Sequence, residues 1–71
     1  MEGKIVFLNR KIGKGYIEYS SAIIIEFYLT ETKSKLFTFD LVDFQIEEFD
    51  GQIRAVHITL ATNPRTRLKR Y

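Results

Sequence analysis

Between Asn9 and Ser20 the chain sets three cations, Arg10, Lys11 and Lys14, around a Gly-Lys-Gly step that runs directly into Tyr-Ile-Glu-Tyr. Three chemistries fit such a stretch: a glycine loop that cradles phosphate, a bare hairpin turn, or the edge of a surface on which bases stack. Spacing excludes the first. A phosphate loop needs glycines about five residues apart, then Lys and Ser/Thr opening a helix, whereas here Lys14 lies between the glycines and a strand follows. The hairpin holds under any reading. Strand alternation puts Lys14, Tyr16 and Glu18 on one face, so a lysine can meet phosphate beside a ring that stacks.

The other reactive side chains build little. His57 is the one histidine and there is no cysteine, so neither a metal site nor a catalytic triad can be assembled around them. Glu18, Glu47 and Glu48 read as surface acids without the paired geometry of acid/base catalysis, and no nucleophile has a base partner in sight. The expectation is a binding protein without cofactor or metal rather than an enzyme, with His57 an outward strand residue and a minor contributor to binding. Charge is more informative. Residues 1–60 carry seven Lys/Arg against nine Asp/Glu, a net of −2, whereas Arg65, Arg67, Lys69 and Arg70 bring +4 to the last eleven residues without an acid. A near-neutral body with a basic tail points to a polyanion contact at the tail.

The elements that must position these residues are strands. Lys4–Leu8, Tyr16–Tyr19, Ala22–Leu29, Leu41–Phe49 and Ile53–Leu60 are rich in β-formers, and no segment keeps a 3.6-residue apolar period. Val42, Phe44 and Ile46 face one way and Asp43, Gln45 and Glu47 the other; on the last strand Val56, Ile58 and Leu60 read as inward, with Ala55, His57 and Thr59 outward. Asp50-Gly51 is a two-residue hairpin signal, Thr30–Lys35 a polar loop, Leu36–Phe39 either extended or a short turn, and Asn63-Pro64 a stop. Five strands in some 60 residues without crossover helices imply one domain, residues 1–61, closed as a small antiparallel barrel of OB or SH3 type, with residues 62–71 a basic, flexible tail. Closure also removes the edge that Ala22–Leu29 would otherwise expose. With no apolar leader at its start and no run near the ~18 residues of a membrane span, the expected home is the cytoplasm.

The order of motifs resembles the cold-shock domain family. That family opens with Gly and a Val-Lys-Trp-Phe-Asn strand, followed by Lys-Gly-aromatic-Gly-Phe-Ile; this chain has "GKIVFLN" and then "IGKGYIE" at the same spacing. The family's Val-Phe-Val-His-Phe looks like "IIIEF", Ile23 to Phe27, and its last two strands look like "LVDFQIEE" and "VHITL". The resemblance spans residues 1 to about 60. It implies a five-stranded antiparallel OB-type barrel that binds single-stranded RNA or DNA, with outward aromatics on the second and third strands stacking on bases and lysines meeting phosphates.

Carried over residue by residue, the resemblance makes Phe7, Tyr16 and Phe27 the stacking residues, and makes the two glycines the place where bases approach the backbone and where a tight turn precedes the strand. Lys14 stands where the family has an aromatic, Ile24 where it has Phe, Glu26 where it has His, and Val6 and Ile12 where it has lysines. Glu26 falls within the implied binding face and is positioned to pair with Lys14 across the strands. The expected function is weak binding of single-stranded nucleic acid, RNA foremost, with little sequence preference. The rival expectation draws on Val6, Ile12, Ile24 and Glu26: a barrel that has exchanged nucleic acid for a protein partner or a second copy of itself.

Overall fold

The structure, a computed structural model, describes residues 1–33 and 35–61; the tail and its cations Arg65, Arg67, Lys69 and Arg70 lie outside the described residues. Five strands, β1 (Glu2–Asn9), β2 (Lys14–Tyr19), β3 (Ile23–Tyr28), β4 (Leu41–Phe49) and β5 (Gln52–Leu60), close into a barrel in the order β1-β2-β3-β5-β4. This is the all-β five-stranded closed barrel expected, consistent with the OB type. A 3-10 turn, Leu29–Glu31, follows β3.

One expectation about the sheet is corrected. The barrel is not wholly antiparallel, because β3 and β5 run parallel through the pair Phe27↔Ala55. The reason is arithmetic: strand directions cannot alternate all the way round a ring of odd number, so one seam of a closed five-stranded barrel must be parallel. The long β3–β4 connection exists to serve this seam, since a parallel neighbour cannot be reached by a tight turn. The opposite extreme joins β4 to β5, where Asp50 and Gly51 alone make the turn with φ of 51° and 82°, the double positive that a two-residue hairpin of this kind requires.

Two register irregularities set which side chains face in. In β1 the pairing passes from Ile5↔Ile17 to Phe7↔Tyr16, so Val6 is an extra residue. Ile5 therefore stays in the core while Phe7 emerges on the outer face opposite Tyr16. In β5 the pairing passes from Asp43↔Thr59 to Gln45↔Val56, leaving His57 and Ile58 opposite Phe44 alone. His57 takes a left-handed φ of 53°, and this bulge shifts the phase of the strand. Ala55, expected outward, is consequently buried against the core, and Leu60, expected inward, is exposed at the strand end.

The core is Ile5, Ile17, Ile25, Phe27, Leu36, Val42, Phe44, Ala55 and Ile58. Leu36 comes from the β3–β4 connection, which is held on β1 by Ile5 N–H to the Asp40 carbonyl at 2.9 Å and Phe39 N–H to the Ile5 carbonyl at 2.6 Å. The connection thus seals the barrel with an apolar side chain and leaves its two phenylalanines, Phe37 and Phe39, outside.

Candidate nucleic-acid interface

The β1–β2 turn is built by Asn9. Its Oδ1 accepts from Lys11 N–H at 3.0 Å and Ile12 N–H at 3.3 Å, and its carbonyl accepts from Gly13 N–H at 2.9 Å. Gly13 adopts φ of 72° with open space where a Cβ would stand, so this glycine serves the turn. Gly15 serves something else. A Cβ there would lie 2.7 Å from the Phe27 ring and 2.7 Å from the Phe7 carbonyl. The space left by the missing side chain is filled from inside the barrel.

That packing corrects two expectations together. Phe27 is fully buried, so no base can stack on it, and Gly15 is small because the Phe27 ring lies against it, not because a ligand approaches. The physical cause is register: Gly15 pairs with Phe27 and Ile17 with Ile25, which commits Phe27 to the inner face.

On the outer face the register brings the expected residues together. Phe7 is opposite Tyr16, their ring centroids 5.6 Å apart and tilted by 43°. Phe7 is 44% exposed. Tyr16 is in turn opposite Glu26, and the Glu26 carboxylate holds the Lys14 ammonium at 2.6 Å. That hydrogen bond and its charge raise Lys14 above its ordinary 10.5, so the amine is firmly protonated and committed to an acid. Phe7, Tyr16, Lys14 and Glu26 form one cluster, rings on one side and a closed ion pair on the other.

The remaining candidates lie apart from it. Arg10 donates from its guanidinium to the Leu36 carbonyl and lies 5.2 Å from the Phe37 ring, so it clamps the β3–β4 connection. Lys11 is exposed in the turn. His57 is exposed at the β5 bulge, its backbone N–H donating to Glu31 Oε1 at 3.4 Å. It lines a shallow recess with Glu31, Lys33, Ile58 and Thr59 rather than the aromatic cluster.

Several side chains with the right chemistry were not anticipated. Tyr28 is opposite Lys14 and extends the ring row to the β3–β5 seam. Across that seam the Arg54 guanidinium lies 4.8 Å from the Tyr28 ring and 4.1 Å from the Phe49 ring. On the connection, Phe37 and Phe39 are 55% and 69% exposed, with Lys35 and Lys4 each 5.9 Å from one of these rings. Alternation from Glu26 signals Tyr28. The Arg54–Phe49 contact lies within the β4–β5 hairpin, whereas the Arg54–Tyr28 contact carries no local signal, because it depends on which strands meet at the parallel seam.

Among the described residues no group of three or more His, Cys, Asp or Glu could hold a metal ion, and no helix is long and apolar enough to cross a membrane. No protein-family model matches the chain, and no curated protein matches it.

Proposed function

We propose that this chain binds single-stranded nucleic acid, RNA foremost, on the outer face of β1, β2 and β3, weakly and with little sequence preference. The observation that carries the reading is the Phe7–Tyr16 pair: two neighbouring rings kept on the surface of a small barrel, one of them by a bulge that turns it outward. A ring face offers every base the same stacking contact, worth ~1–3 kcal/mol per base, which explains a platform without sequence preference. The resemblance to cold-shock domains supports the same face. Titration of fluorescent oligo-U and oligo-dT at low salt tests the proposal. Saturable binding that Tyr16→Ala weakens by ~1–3 kcal/mol without loss of fold supports it; no saturable change up to high micromolar protein ends it.

A second reading rests on exposed aliphatics. Ile12, Ile23 and Ile24 are 63%, 48% and 51% exposed, and such apolar surface suits a protein partner or a second copy of the chain. Light scattering at several concentrations separates the two: this reading requires self-association or a retained partner, and the nucleic-acid reading requires neither.

A further inference from the structure

We infer that the proposed nucleic-acid face does not end at β3 but continues over the parallel seam, where Tyr28, Arg54 and Phe49 form a preorganised receptor for a backbone phosphate. The inference rests on the reading above and adds to it a phosphate site and a direction for the bound strand.

The cations on the face and near it differ in availability. Lys14 is closed onto Glu26, and Arg10 is bonded to the Leu36 carbonyl. Arg54 has neither kind of engagement among the described residues. Its register partner on β4 is Glu47, yet no ion pair joins them, and no hydrogen bond occupies its donors. Two rings hold it instead, Phe49 at 4.1 Å and Tyr28 at 4.8 Å from the guanidinium carbon. Ring contacts of this kind use the charge of the guanidinium without occupying a hydrogen-bond donor, and leave its N–H groups, in the fork geometry that matches phosphate, to an anion. An arginine ordered by its neighbours but free of an acid loses little further freedom on meeting an anion.

The position fits a strand laid on the platform. Tyr28 is opposite Lys14 on the β2–β3 ladder, and Lys14 is one alternation from Tyr16. Ring surface therefore runs from Phe7 and Tyr16, past the Lys14–Glu26 pair, to Tyr28 and Arg54 across the seam. A base on Tyr16 and a phosphate at Arg54 would belong to one strand crossing the barrel, in which Glu26 occupies the middle and Arg54 supplies the positive charge that Glu26 cancels at Lys14.

The test measures the affinity of a fluorescent oligo-U for wild type, Arg54→Ala, Arg54→Gln and Tyr16→Ala over a range of salt, with a thermal melt of each protein. Glutamine keeps much of the arginine stem, so agreement between the two Arg54 variants separates lost charge from lost packing. A phosphate contact contributes about 0.7 to the slope of log affinity against log salt for single strands. Both Arg54 variants are expected to flatten the slope by about this amount and to weaken binding about tenfold at low salt, as for a charge-assisted hydrogen bond. Tyr16→Ala is expected to weaken binding with the slope unchanged, because stacking releases no counterions. Wild-type slope and affinity in both Arg54 variants, with Tyr16→Ala weakened, overturn the phosphate site and leave the face standing. Wild-type affinity in Tyr16→Ala as well overturns the face, and this inference with it.

Discussion

Glu26→Gln is the substitution in which the geometry makes an uncommon demand: removing a charge that holds a surface together should improve function. Glu26 holds the Lys14 ammonium at 2.6 Å, with the two side chains 25% and 32% exposed. The lysine that alternation sets beside Tyr16 is therefore turned toward a carboxylate. Glutamine keeps the shape and a hydrogen-bond acceptor but removes the charge, which frees Lys14 for phosphate and deletes a repulsion at the centre of the face. One added phosphate contact steepens the salt dependence by about 0.7, an extra loss of about 2.6-fold in affinity between roughly 50 and 200 mM salt. Affinity should accordingly rise at 50 mM and converge on wild type as salt rises. Lys14 supplies an internal control. Glu26 raises its pKa above 10.5, so charge on this amine, and the pairing it allows, persists in the folded protein up to that raised value and is lost as pH climbs through it. In Glu26→Gln the side-chain titration of Lys14, followed by NMR, should move down. A downward shift at Lys14 with affinity and salt slope unchanged would refute the reasoning, since the lysine would be free and still not meet phosphate.

Other substitutions probe the frame. Gly15→Ala places a methyl 2.7 Å from the Phe27 ring and from the Phe7 carbonyl, an overpacking that should cost ~1–3 kcal/mol and lower the thermal midpoint by several degrees; an unchanged midpoint would contradict the close approach. The β2–β3 turn carries three successive non-glycine residues at positive φ, Ser20, Ser21 and Ala22, the last at 69°. Ala22→Gly relieves ~1–2 kcal/mol of steric cost against about 0.5–1 kcal/mol of added chain entropy, so chemical denaturation should show a small net gain, and a loss would mean the turn is not strained there. Removing residues 65–71 takes away four cations; if each meets a phosphate, the salt slope falls by up to about 2.8, and equal slopes with and without the segment would show that it meets none.

How much of this was legible in the sequence depended on whether the signal was local. The Asp50-Gly51 turn, the strand count and the Lys14–Tyr16–Glu18 face all follow from neighbouring residues, and the cross-strand Lys14–Glu26 pair follows from two adjacent strands. The errors arose where phase or closure intervened. Strict alternation in the last strand failed at His57, whose bulge turns Ala55 inward, and nothing in the residue types around it announces the extra residue. The resemblance sets Phe27 outside, although alternation from Ile25 alone puts it in the core. Arg54 is only half legible: Phe49 meets it within the β4–β5 hairpin that Asp50-Gly51 signals, whereas Tyr28 meets it only through the parallel seam that an odd-stranded ring imposes.

The central claim is that single-stranded nucleic acid lies on the outer face carrying Phe7, Tyr16 and Lys14, and an NMR shift-perturbation map with a short pyrimidine oligonucleotide at low salt tests it most directly. The account predicts saturable shifts centred on Phe7, Lys14, Tyr16, Glu26 and Tyr28, with Phe27 and the rest of the interior little moved. Saturation with shifts confined to other surfaces, or no shifts at high micromolar oligonucleotide, would contradict it.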